Sequence, residues 1–212
     1  MNTWNTDAAA TPGPWLQEVV SSLASGGVVA LPTDTFYGLA ADSRSAAGIA
    51  RVLRIKGRPA EHPLLLLVSD CAAARRLAPT ADERLEGLAA TFWPGPLTVV
   101  LPTSRHLPRE LLGPSGGVAV RVPAAAVARR VAGVLGAPIT GTSANLSGSP
   151  AAVRAADIDL DPELLSGIID AGVAPGGAAS TIVDLTCTPA RIVRDGAIPS
   201  SAIRKSLSGG LL

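Results

Sequence analysis

Two short strings, far apart in the chain, hold the residue types best suited to chemistry: Lys56-Gly57-Arg58-Pro59 and Ser143-Ala144-Asn145. The first sets two cations on a tight turn. The second sets a hydroxyl and an amide two positions apart. Together they suit a site that neutralises a phosphate and hydrogen-bonds the rest of a nucleotide. Lys56 is one of only two lysines beside 16 arginines, the other being Lys205. In so arginine-biased a chain, a lysine inside a charged turn points to a need for a compact point charge rather than a planar fork. Each string also has a plainer use. Cations at a helix C-terminus answer its dipole, and Ser and Asn often cap their own turns.

These strings need a scaffold, and apolar periodicity outlines one. Trp15 to Leu23 reads as a helix with Leu16, Val19, Val20 and Leu23 on one face, closed by Gly26-Gly27. Val28 to Leu31 reads as a buried strand before Pro32, followed by the polar loop Thr33 to Gly38. Ser45 to Ile55 reads as a helix capped by Ser45; Gly57 sits at the C′ position and Pro59 forbids continuation. Lys56 and Arg58 thus fall at a helix end, where only side-chain cations can attract an anion. Further strands are expected at 64–68, 97–101, 118–122, 167–170, 180–185 and 191–194, and helices at 71–77, 81–92, 125–135 and 201–207. Strands and helices interleave without strict alternation, so the expectation is a single α/β domain with one mixed, twisted sheet flanked by helices. Residues 1–13 read as a flexible tail, 14–207 as the catalytic domain and 208–212 as a C-terminal tail.

Composition narrows the function classes. The 212 residues are 47% hydrophobic but only 3% aromatic, so the core must be Ala, Val, Leu and Ile. A formal net charge of +1 provides no global field toward nucleic acid or membrane. Cys71 and Cys187 have no metal or redox spacing, which suits a reducing cytosol, and the polar N-terminus has no signal-peptide pattern. No apolar run is long enough to span a bilayer. There is no P-loop, no dinucleotide fingerprint and no zinc-ligand pair, since His62 and His106 are the only histidines. Gly141-Thr142-Ser143-Ala144-Asn145 lacks the closing Gly of a nucleophile elbow.

Eight strings, in one order, resemble the YrdC-type threonylcarbamoyl-AMP synthases. They are Pro32-Thr33-Asp34-Thr35-Phe36-Tyr37-Gly38-Leu39, Lys56-Gly57-Arg58-Pro59, Pro63-Leu64, Trp93-Pro94-Gly95-Pro96-Leu97-Thr98, Val118-Ala119-Val120-Arg121-Val122-Pro123, Ser143 to Gly148, Ser180-Thr181-Ile182-Val183-Asp184 and Val193-Arg194-Asp195-Gly196. The resemblance is to the short, single-domain form. It implies that L-threonine and bicarbonate or CO2 form an N-carboxy-threonine, whose carboxylate attacks the α-phosphate of ATP. Threonylcarbamoyl-AMP and pyrophosphate result. ATP would be a substrate, with Mg2+ carried mainly by its oxygens and by water.

Further implications are a cytoplasmic enzyme, a nucleotidyltransferase by class, and a separate transferase that passes the group to tRNA, with a weak tRNA contact and no membrane contact. Lys56, Arg58, Ser143 and Asn145 would be catalytic. His62 and Arg194 would join them in binding ATP. Thr35, Arg121 and Ser180 would bind threonine, and Thr33 and Tyr37 would shape the pocket.

On physical grounds, Arg121 is the most informative of these, because a charge inside an apolar strand must be paired or face a ligand. An internal ion pair would explain it as well, and a surface charge or a structural core position would explain Arg194 or Tyr37. Some family members carry a threonine-binding His after the Pro-Leu-aliphatic run, where this chain has Leu64-Leu65-Leu66-Leu67-Val68. Two rival readings are a carbamoyl-adenylate-handling maturation domain and a non-catalytic RNA binder using Arg44, Arg51, Arg54, Lys56 and Arg58.

Overall fold

A computed structural model describes residues 1–57 and 63–208. Within them the chain runs β1 (Asn2–Asn5), α1 (Pro14–Ala24), β2 (Val29–Pro32), β3 (Tyr37–Ala40), α2 (Ala46–Lys56), β4 (Leu66–Leu67), α3 (Cys71–Leu77), α4 (Arg84–Phe92), β5 (Leu97–Leu101) and β6 (Val118–Arg121). It continues through α5 (Ala126–Leu135), β7 (Ile139–Thr140), β8 (Thr142–Ser143), β9 (Gly167–Asp170), β10 (Thr181–Asp184), β11 (Arg191–Arg194) and α6 (Ser200–Ser208).

The architecture is mixed α/β, as expected, but the strands divide into two sheets rather than one. One has the order β1-β9-β2-β3-β8 and the other β11-β10-β5-β6-β4-β7. Both are mixed: β2 runs antiparallel to β3 but parallel to β9, and β5 antiparallel to β6 but parallel to β10. The expected N-terminal tail contributes an edge strand, since Asn2–Asn5 pairs in parallel register with Gly167–Asp170. Its one buried side chain, Trp4, lies against Gly167. At the other end α6 runs to Ser208, and 209–212 lie outside the described residues.

The run Val28 to Leu31 is buried on both faces, which explains its unbroken apolar character. Val29 and Leu31 face α1 and α5 in a cluster with Leu16, Val19, Val127 and Val131. Val28 and Ala30 face a larger cluster that includes Ile49, Val52, Leu66, Val99 and Val120. Of the few aromatics, Tyr37 is fully buried in the larger cluster, and Trp93 packs there with its Nε1 donating to the Leu97 carbonyl at 2.7 Å.

Candidate active site

A cleft of about 320 Å3 opens between the β2–β3 turn of one sheet and β4, β6, β10 and β11 of the other. The chain passes from the second sheet to the first at Gly141, between β7 and β8. A side chain cannot be added there without displacement: a Cβ would lie 2.6 Å from Leu67 Cγ.

Helix α2 delivers Lys56. Ser45 caps its start by accepting from Gly48 N–H at 3.1 Å, and Gly57 ends it in the left-handed region at φ 58°. Ile49, Val52 and Lys56 fall on one stripe of the helix, so the buried face carries the lysine inward with only 3% of its surface exposed. Its ammonium donates to Ser143 O at 2.8 Å, Asn145 O at 2.6 Å and Asn145 Oδ1 at 2.6 Å, with Ser143 Oγ at 3.4 Å. Ser143 Oγ donates to Asn145 Oδ1 at 2.7 Å. The two strings of the sequence therefore meet. Ser147 completes the junction by donating its hydroxyl to the Lys56 carbonyl at 2.8 Å, satisfying a helix-end acceptor. Arg58 and His62 lie outside the described residues.

Arg121 ends β6 and is both paired and cleft-lining, so the two explanations for it hold together. Its Nε donates to Gly95 O at 3.0 Å, its Nη1 reaches Thr35 Oγ1 at 3.5 Å, and its Nη2 lies 2.6 Å from Asp34 Oδ1. That last contact is a charge pair without hydrogen-bond angles. Thr35 is itself held by Thr33, whose Oγ1 is 3.1 Å from Thr35 Oγ1 and donates to Phe36 O at 2.7 Å.

Arg194 projects from β11. Its Nη2 donates to Ser180 O at 2.7 Å and to Ser180 Oγ at 3.1 Å, and Ser180 Oγ is 2.9 Å from Thr98 Oγ1. Partial burial, and after it the charge of Arg121, lowers the Arg194 pKa below its ordinary value. An anion between these two guanidiniums would relieve that repulsion. Tyr37 packs in the core, exposed by 0%, with its hydroxyl donating to Gly172 O at 2.7 Å.

Lys56, Arg121 and Arg194 thus converge on one cleft, and no Asp or Glu is among its described lining residues. Pro63, Leu65 and Leu67 add apolar lining to the same cleft. The pairing of Asp34 with Arg121, the contact of Thr98 with Ser180 and the cap from Ser147 were not legible in the sequence. Each lies inside a quoted string, yet only the fold shows which partner it meets. Segment 150–161, whose composition suits mobility, is tied to the core. Ala152 O accepts from Tyr37 N at 2.9 Å and Val153 O from Ala174 N at 2.8 Å. Of the basic stretch in the RNA-binding reading, Lys56 points inward and Arg44 pairs with Asp42 at 2.7 Å, while Arg58 lies outside the described residues. Among the described residues no group of His, Cys, Asp or Glu is placed to hold a metal, and no helix is long and apolar enough to cross a membrane.

The profile of the Sua5/YciO/YrdC family, described as "Telomere recombination", matches residues 21–196. A threonylcarbamoyl-AMP synthase of Pyrococcus abyssi is 39% identical over 181 residues, covering 85% of this chain and 53% of that protein. One of Xanthomonas campestris is 38% identical over 192 residues, covering 87% of this chain and 96% of that protein. The crystal structure of P. abyssi Sua5 complexed with L-threonine superposes with a TM-score of 0.88 at 34% identity, covering 97% of this chain and 61% of that one. The chain spans 53% and 58% of two of the curated relatives it matches, those of P. abyssi and Bacillus subtilis.

Proposed function

Given that the chain belongs to the Sua5/YciO/YrdC family, we propose that its cleft joins L-threonine, bicarbonate or CO2, and ATP into threonylcarbamoyl-AMP and pyrophosphate. The observation that carries the reading is the convergence of Lys56, Arg121 and Arg194 on a cleft whose described lining has no carboxylate. The reaction must bring an anionic carbamate to an anionic triphosphate, so cations fixed in advance lower the cost of that encounter.

The neutral threonine amine attacks the carbon of CO2 and releases a proton to solvent to give an N-carboxylate; from bicarbonate the same product forms with loss of water. A carboxylate oxygen attacks the α-phosphorus, the bond to the bridging oxygen of the β-phosphate breaks, and pyrophosphate departs with the electron pair. The nucleophile is already an anion, so no dedicated general base is assigned. Lys56 serves the α-phosphate, exchanging an acceptor of the Ser143–Asn145 loop for a phosphate oxygen. Ser143 and Asn145 then hydrogen-bond phosphate or ribose. Arg121 clamps the threonine carboxylate as a planar fork, with Thr35 and Ser180 beside it. Arg194 reaches the phosphates from the opposite side. Arg58 and His62 belong to the same reading as further ATP contacts, and Mg2+ arrives on the ATP oxygens.

The L-threonine bound by the P. abyssi structure supports the amino-acid half of this assignment. The relatives' name, threonylcarbamoyl-AMP synthase, supports an adenylate product; in this reading a separate transferase acting on tRNA consumes it. The test is pyrophosphate release from ATP and bicarbonate, with and without L-threonine. Threonine-dependent release, with a product of the mass of threonylcarbamoyl-AMP, is expected. Release indifferent to threonine, from folded protein with Mg2+ present, would overturn the reading.

A further inference from the structure

A second basin, of about 540 Å3, shares none of its described lining residues with the cleft. The antiparallel pair β4/β7 runs between the two. Leu65, Leu67 and Gly141 line the cleft, while Val68, Ser69 and Pro138, at the other end of the same ladder, line the basin. Arg44, Arg76, Arg105 and His106 border the basin, and no Asp or Glu is among its described lining residues.

The carboxylates nearby are already engaged. Asp42 pairs with Arg44 at 2.7 Å, and Asp70 caps α3 by accepting from Ala73 N at 2.7 Å. Arg76 and Arg105 make no ion pair among the described residues, though the charge of Arg76 is felt at Asp70. The basic loop is also built rather than loose. Thr103 Oγ1 donates to Leu77 O at 2.6 Å and accepts from Arg105 N at 3.1 Å, while Arg105 Nε donates to Arg76 O at 3.0 Å. That last bond orients the guanidinium through Nε and leaves its two Nη groups to form a fork. Below the cations, Val68, Leu77 and Leu107 make an apolar floor. Among the described lining residues no aromatic ring apart from His106 is present to stack a nucleobase.

We propose that this basin is a second ligand site, which takes a small organic phosphate of the sugar-phosphate class. The phosphate lies on the Arg76 and Arg105 guanidiniums and the carbon body on the Val68–Leu77–Leu107 floor. Its volume falls in the range of small-molecule sites, roughly 300–1,000 Å3. The inference stands on the basin alone and does not depend on the chemistry assigned to the cleft.

The test is site-resolved because His106 borders the basin and a His106→Gln variant identifies its ring signals among those of the chain's two histidines. NMR of the His106 ring is followed while ribose 5-phosphate is added, with ribose and inorganic phosphate as controls. A saturable shift is expected with ribose 5-phosphate, a weaker response with inorganic phosphate and none with ribose. The affinity should fall by more than about tenfold in Arg76→Ala/Arg105→Ala, as expected for lost charge-assisted hydrogen bonds. It should fall less in Arg105→Lys and stay unchanged in Lys56→Ala. Arg76 and Arg105 are exposed, and an unchanged thermal midpoint confirms folding of the variants. No shift with ribose 5-phosphate, an equal shift with ribose, or an undiminished shift in the double variant would each overturn the proposal. So would a response confined to duplex RNA.

Discussion

The Lys56 ammonium grips Asn145 twice, donating at 2.6 Å to its side-chain oxygen and at 2.6 Å to its backbone carbonyl, across 89 residues of sequence. One cation therefore fixes both the rotamer of Asn145 and the path of the loop that carries it. A buried lysine with this many acceptors is a positioned charge, and a phosphate oxygen can take the place of one acceptor without the helix moving.

Replacing that lysine should separate chemistry from folding. Lys56→Ala is expected to reduce threonine-dependent pyrophosphate release by at least about 100-fold, the scale of losing a preorganised electrostatic contact. The vacated Asn145 and Ser143 acceptors should cost about 1–3 kcal/mol in urea unfolding. Lys56→Arg should fail to restore rate, because a planar fork cannot meet three acceptors clustered about one point. Wild-type turnover in either variant would remove Lys56 from the phosphate site.

Asp34 is expected to act through Arg121 rather than on a substrate. Asp34→Asn leaves a buried guanidinium without its charge partner, 2.6 Å away in the native pair. Stability should fall by about 3 kcal/mol. The KM for L-threonine should rise about tenfold, close to 1.4 kcal/mol, while the KM for ATP changes little. Equal changes in both constants would mean that Asp34 is merely structural.

At Gly141 the crossing between sheets leaves no room for a methyl group. Gly141→Ala should push Leu67 into the cleft, destabilise by about 1–3 kcal/mol and weaken threonine use. Adding Leu67→Val, which removes bulk at the clash, should recover part of both losses. If the double variant is no better than the single one, the constraint lies in the backbone instead.

Two titrations check local electrostatics. Tyr37 is the chain's only tyrosine, and burial, followed by the negative charge of Asp170, pushes its pKa from 10.0 to about 12. Absorbance of the folded protein should show tyrosinate only near the upper value, whereas urea-unfolded protein should ionise near 10.0. Because the folded value is the raised one, the linked stability is complete below 10.0 and lost as pH climbs toward 12. A folded-state midpoint near 10.0 would show that the ring is not buried.

Asp70 has the opposite sign. The hydrogen bond from the Ala73 amide lowers its pKa below the ordinary 3.8. The stability of this cap is present above that value and lost as pH falls through the depressed one. Asp70→Ala should therefore cost about 1 kcal/mol near neutrality and almost nothing in strong acid. A difference from wild type that persists undiminished in strong acid would rule out the charged cap as its source.

Elements bounded by strong punctuation were legible residue by residue. The helix Cys71–Leu77 starts after an Asp cap, and Leu97–Leu101 follows Trp93-Pro94-Gly95-Pro96; both have the expected bounds. Pairing was harder to read because it depends on distant partners. Leu64 to Val68 looks like a five-residue strand, but only Leu66–Leu67 pairs with β6 and β7. Asn2–Asn5 is too polar to signal a strand and depends on β9 for its order. In the cleft, Arg121 stood out as a charge in an apolar run and the family resemblance grouped Thr35 with it, whereas Asp34 gave no sign of meeting it. One passage between the two sheets, from β7 to β8, falls at Gly141, which looks in sequence like any loop glycine.

The short N-terminal strand has a consequence for how the molecule keeps to itself. Pairing with Asn2–Asn5 occupies the outer hydrogen-bonding side of β9, and Trp4 covers the surface at Gly167 where no side chain exists. Trimming the chain to residue 6 would bare β9 along Gly167–Asp170, with Ile168 and Ile169 beside it. An open apolar edge of that kind is a template for joining strands from other molecules. Those first five residues thus put a short polar edge where an apolar one would otherwise lie.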